Sequence, residues 1–167
     1  MEFLIIAGSI NPEHKEFSIS DQYKSLRLMV VAILVLLLIQ YELGMTVIMS
    51  DTPSISPFNF SVEAFRGALD QVGGVAYLQA IMGGLLIVAS IVNLVMALNS
   101  GIRSVQVFGV LSFLGIVVAA GGGLFFVLSG FQNDHASHAM ATNFILSFAF
   151  LFLELYNMKS VSRVQAH

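Results

Sequence analysis

The chain has 167 residues, of which 57% are hydrophobic and only 10% charged, and its mean hydropathy is +0.87. An ordinary soluble domain carries about a quarter charged residues, and a disordered chain needs low hydrophobicity with high net charge, so both classes are excluded. The absence of cysteine removes disulfides, thiolate metal sites, covalent c-type haem attachment and cysteine nucleophiles, and a formal net charge of −3 offers no basic surface for nucleic acid.

What remains is an integral membrane protein of the all-α class. A bilayer core about 30 Å thick needs roughly 20 apolar residues per spanning helix. Residues 1–6 open with an acid and hold too short an apolar run for a cleavable leader. The first span is therefore expected to serve as an uncleaved insertion signal. A polar tail, 1–27, precedes it, with Ser20 and Asp21 reading as an N-cap and an acidic first turn. Four spans follow at about 28–49, 75–98, 107–128 and 139–158. They are too long and too evenly apolar for barrel strands. Together they predict a four-helix bundle forming a single transmembrane domain, 1–167.

The loop 50–74 between the first two spans carries Pro53 and Pro57 and then the stretch 61–69, where Val62, Phe65 and Leu69 share one helical face and Ser61 can cap. A short amphipathic helix is predicted there, either a connector covering the bundle end or a lid over a site. Asn59, Phe60 and Ser61 also form a glycosylation acceptor triplet. Asn99, Ser100 and Gly101 stop the second span, Gly130 closes the third, and Asn133 and Asp134 precede the fourth. Tyr23 and Tyr156 fall at one membrane boundary.

The basic residues set the orientation. Lys15, Lys24, Arg27, Arg103, Lys159 and Arg163 lie on one side of the predicted membrane and only Arg66 on the other. By the positive-inside rule both termini are cytoplasmic, and the loop 50–74 faces outward from a cell membrane crossed by multiple passes.

Helices in lipid associate through small residues and buried hydrogen bonds. Gly115, Ala119 and Gly123 make a small-residue face on the third span, beside Gly121 and Gly122, and Ala76, Ala80 and Gly84 make one on the second. The former serves as a packing face or gives room for a flat macrocycle. Gln40, Gln79, Asn93, Asn143 and Ser147 are candidates for interhelical hydrogen bonds worth about 0.6–2 kcal/mol each. Asn143, Ser147 and Glu154 share one stripe of the fourth span. Glu154 is expected to reach the interface or to pair with Lys159 or Arg103. Glu42, in the outer half of the first span with no cation near it in sequence, is a candidate for proton handling or cofactor contact. His14 and His167 lie in the tails, whereas His135 and His138 stand three residues apart at the outer start of the fourth span. That spacing allows both imidazoles to face one metal, and His138 alone has the character of an axial haem ligand on a rigid helix. A hydrated boundary histidine is the other reading.

The stretch 112–130, with Gly115 and the run Gly121-Gly122-Gly123, followed by a short polar loop, His138 and a further apolar helix, resembles one half of the haem A synthase family. These are membrane enzymes built from duplicated four-helix units. Residues 36–44, with Gln40, Glu42 and Gly44, are similar to the family's first span, and the resemblance covers about 28–156. It implies a haem ligand at His138. The family's second span opens with a glutamate and a histidine–arginine pair, where this chain at 73–83 has no acid, histidine or arginine and offers Gln79. An internal echo, 44–50 against 123–129, each followed by a span with Gln79-Ala80 or His138-Ala139, agrees with two pseudo-repeated hairpins.

Three functions are therefore expected in order. The first is a haem-synthase-like or respiratory-complex subunit in electron transport, holding one b-type haem near the outer face at His138, with His135, Gln79 and Glu42 as further contacts. The second is a cofactor-free structural or assembly subunit, bound to other membrane subunits or to copies of itself in the lipid bilayer. The third is a small proton-linked transporter using Glu42 and Glu154. No phosphate-binding glycine loop, zinc-protease motif or nucleophile–base array is present, so enzyme chemistry is not expected.

Overall fold

The computed structural model describes residues 12–49, 61–129, 131 and 133–164, with side chains over 21–47, 61–129, 131 and 133–158. The start at 1–6, Asn59 and Phe60 of the glycosylation triplet, Pro53, Pro57, Gly130 and His167 lie outside the described residues, as do the side chains of His14, Lys15, Lys159 and Arg163.

Among the described residues five helices follow one another: α1 Pro12–Met49, α2 Val62–Val72, α3 Gly74–Leu98, α4 Arg103–Leu128 and α5 Asp134–Val164. Four of them hold stretches long and apolar enough to cross a membrane: Asp21–Val47, Gly74–Leu98, Arg103–Leu128 and Asp134–Met158. At about 1.5 Å per residue each exceeds the roughly 30 Å of a hydrocarbon core. Their outward faces carry bare apolar side chains, with Leu28 72%, Val88 60% and Ile145 65% exposed. In water that surface would drive aggregation; in lipid it is the solvated face.

The first helix starts earlier than the sequence predicts. Pro12 occupies its first position, where a missing N–H is harmless, and neither glycine nor proline interrupts the chain before Gly44. Ser20 therefore lies inside a continuous helix rather than at its start. By contrast, α3 ends at Leu98 where Asn99, Ser100 and Gly101 stop it, and Asn133 Oδ1 caps α5 by accepting from the Ala136 amide at 3.1 Å.

The spanning helices form a ring in which α1 touches α3, α3 touches α4, α4 touches α5, and α5 returns to α1. The α1–α3 seam is antiparallel and pinned at one end by Tyr23, whose hydroxyl donates to the Ser100 carbonyl at 2.7 Å. Higher on that seam the Gln40 amide lies over Gly83, and the Gln79 amide lies over Gly44.

The α4–α5 seam is the tightest, and glycines make it so. A Cβ at Gly115 would overlap Ser147 Oγ, and one at Gly122 would stand 3.2 Å from the Ala136 carbonyl and the Met140 amide. The expected small-residue face is present at Gly115, Gly122 and Gly123, where a Cβ would meet Ser147 or Met140, and Gly109 adds a close approach to Ala97 on α3.

Two apolar clusters fill the interior. The larger runs from Leu26, Val30, Ala97, Val105 and Met158 at the Tyr23 end to Leu37, Leu86 and Ile116 near the middle. The smaller lies under α2 at the opposite end and contains Val47, Ala68, Leu69, Ala76 and Phe131. The α2 helix starts as predicted, with Ser61 Oγ accepting from the Ala64 amide at 3.0 Å, but its buried face is Phe65, Ala68, Leu69 and Val72, and Val62 is 79% exposed. It ends at Gly73, whose φ of +90° is a conformation that glycine adopts freely. Phe131 takes a φ of +61° and sets its ring edge-on to Phe126 at 5.5 Å, closing the same cluster.

Candidate functional site

The most distinctive polar feature lies at the Tyr23 end. Glu154 stands on α5 four residues before Met158, with no exposed surface at all. The bundle interior holds an apolar cluster that includes Leu26, Val30, Ala97, Val105, Leu151 and Met158, and Glu154 is buried on α5 between Leu151 and Met158 in sequence. Room for the carboxyl comes from α4, because a Cβ at Gly109 would stand 3.6 Å from Glu154 Oε1 and 2.6 Å from the Ala97 Cβ. The partner is Asn93 on α3, itself 1% exposed, whose Nδ2 donates to Glu154 Oε1 at 3.3 Å and Oε2 at 3.2 Å. The pair ties α3 to α5, which face one another across the ring. Asn93 Oδ1 is buried and has no hydrogen-bond partner.

Glu154 is buried and makes no ion pair with Arg103, and the side chain of Lys159, its other expected partner, lies outside the described residues. Arg103 is exposed at the start of α4. Its place in the ring puts the carboxyl inward, and the nearest donor there is an amide. Three buried hydroxyls surround the bundle axis but bond within their own helices: Ser90 to the Ile87 carbonyl at 2.7 Å, Ser112 to Gly109 at 3.0 Å and Ser147 to Asn143 at 2.7 Å. Asn143 likewise donates to Ala139 in its own helix. Of the polar residues expected to join helices by side-chain pairing, Asn93 does so, while Asn143 and Ser147 satisfy local carbonyls that a helix always offers.

Gln40 and Gln79 pack against glycines on the α1–α3 seam, and Gln40 Oε1 is buried without a partner. Glycine leaves space for the amide but presents no donor to it. Glu42 is on the other side of α1, exposed on the outside of the bundle; its backbone carbonyl accepts from Thr46 Oγ1 at 2.9 Å.

His135 and His138 are both exposed, in the first turns of α5 at the α2 end. His135 borders an open groove with Ser129, Asn133 and Asp134. Among the described residues no three histidine, aspartate or glutamate side chains come close enough to hold a metal ion. Gln79 lies on the α1–α3 seam and His138 on the outside of α5, so the structure does not bring these two candidate haem contacts together. The Asn93–Glu154 pairing is the part that sequence reasoning missed. Both residues stood out as polar groups in apolar spans, but their separation of 61 residues gave no signal of contact.

Compared with protein-family models, with curated proteins and with solved structures, the chain gives no significant match.

Proposed function

We propose that this chain is a multi-pass subunit of a larger membrane assembly, acting through the outer faces of its bundle, with both termini on the cytoplasmic side of a cell membrane. The orientation rests on the basic residues: Lys24, Arg27 and Arg103 belong to the Tyr23 end, and Arg66 belongs to α2 at the other. The observation that carries the subunit reading is Glu42. It lies within the apolar stretch of α1 yet is exposed on the outside of the bundle, and it makes no ion pair among the described residues. Ionisable side chains in membrane helices almost always face protein or a watery cavity, because contact with lipid costs roughly 2.5–3.5 kcal/mol or more. A second protein surface over that face removes the cost. The test is a photo-crosslinking residue placed at position 42 in cells. A discrete adduct with another chain, or with a second copy, is the expected result; labelling of lipid only, together with a purified mass equal to one chain, defeats the reading.

The exposure of His138 and His135 favours a second, redox version of the same reading. There a b-type haem lies against the outside of α5, with His138 as one axial ligand and a partner chain supplying the other. Protein extracted with its assembly from haem-supplied cells then shows a Soret band that His138→Ala abolishes. A colourless preparation leaves the cofactor-free subunit.

A further inference from the structure

The Asn93–Glu154 pair has a hydrogen-bond imbalance that one proton resolves. An amide side chain offers two donors and an acceptor with two lone pairs. Here Asn93 Nδ2 donates to the carboxyl, while Oδ1, equally buried, has no donor facing it. The surrounding core cannot supply one. The apolar cluster of the bundle interior contributes Leu26 and Val30 from α1, Ala97 from α3, Val105 from α4, and Leu151 and Met158 from α5. Gly109 abuts the carboxyl without a side chain. The hydroxyls of Ser90 and Ser112 are already committed to Ile87 and Gly109 carbonyls. The cations at this end with described side chains, Lys24, Arg27 and Arg103, are all exposed, and Lys24 pairs with Asp21 at 3.3 Å. No charged group among the described residues therefore faces Glu154 from any of the four helices.

An acid and an amide in contact form a closed two-bond pair when the acid carries its proton, each group donating once and accepting once. We infer that Glu154 and Asn93 form a proton-binding site within the membrane-spanning bundle: Nδ2 stands within reach of both carboxyl oxygens, and when the Glu154 carboxyl holds one proton a turn of the Asn93 amide lets the acid donate to Oδ1 while Nδ2 donates back to the other oxygen. This state gives both buried groups their partners and leaves no unpaired charge between α3 and α5. On release, the carboxyl O–H bond breaks, the electron pair stays on the carboxylate, and the proton passes to water. The site is separate from Glu42 and the histidines and stands whether or not the subunit reading holds.

Infrared spectroscopy of the full chain in lipid nanodiscs tests it. At neutral pH the wild type shows the carbonyl band of a protonated carboxyl, and ¹³C-glutamate labelling shifts that band. Glu154→Gln, which keeps the shape and can donate to Asn93 Oδ1, loses the band and keeps the helical circular-dichroism spectrum and the Tm. Absence of the band in labelled wild-type protein overturns the inference without needing any variant to fold. So does a band that survives Glu154→Gln, or a Glu154→Gln protein destabilised as much as Glu154→Ala, since either result means that the group works as a carboxylate.

Discussion

The two ends of the bundle are closed in opposite ways. At the Tyr23 end the helices come together on small residues, with Ala97 and Gly109 in contact distance and a buried acid–amide pair spanning the ring. At the α2 end the helices are roofed instead, by an amphipathic helix and the rings of Phe126 and Phe131. The first arrangement has no slack. Any added atom meets a neighbour, and any removed polar atom leaves a buried orphan. The second is a cover of apolar side chains, with Val47, Ala68, Leu69 and Phe131 buried in it. A membrane bundle has no hydrophobic drive between its helices, so its cohesion belongs to the close-packed end and seam, and the roof contributes local order.

That contrast can be broken by substitution, and the expected effects are ordered. Gly115→Leu forces side-chain atoms into Ser147 and the Asn143 carbonyl and is expected to destabilise by about 3 kcal/mol through overpacking, read as a lower SDS midpoint for loss of helical structure. Asn93→Ala leaves the Glu154 carboxyl without its amide partner. An unsatisfied buried group costs about 2 kcal/mol, and the same SDS titration should report it. At the roof, Ser61→Ala removes the N-cap of α2 and should cost about 1 kcal/mol. Its signature is faster amide exchange confined to α2, with the spans unaffected. Gly121→Leu is the control for the first: nothing lies within 4 Å of its Cβ position, so its SDS midpoint should move by less than about 0.5 kcal/mol. If Gly121→Leu proved as damaging as Gly115→Leu, the loss would come from helix chemistry or insertion, and the seam would lose its special standing.

Much of this architecture is legible in residue order. Long apolar runs announce the spans because lipid demands internally bonded helices of fixed length. Ser61 and Asn133 announce caps because their oxygens match orphan amides at helix starts. Ser20 looked equivalent but sits in a helix already under way from Pro12: a cap residue has meaning only where something else ends the preceding helix. The buried face of α2 was legible to within one residue, Val62 pointing out while Ala68 turns in. The candidate site was half legible. Composition marks Glu154 and Asn93 as costly residues in apolar helices, but their pairing depends on how α3 and α5 are placed across the ring. That placement follows from glycines on α4, which sits between them. Glu42 and His138 show the converse: both are conspicuous in sequence, and both turn out to face away from the bundle interior.

The unbroken course of α1 has a mechanical consequence. The helix runs for 38 residues, from Pro12 to Met49, a rod of about 57 Å at 1.5 Å per residue. With neither glycine nor proline between Pro12 and Gly44, Tyr23, Gln40 and Gly44 are held on one unbroken shaft, so their contacts with Ser100, Gly83 and Gln79 share a single register along α3 and the turn that follows it.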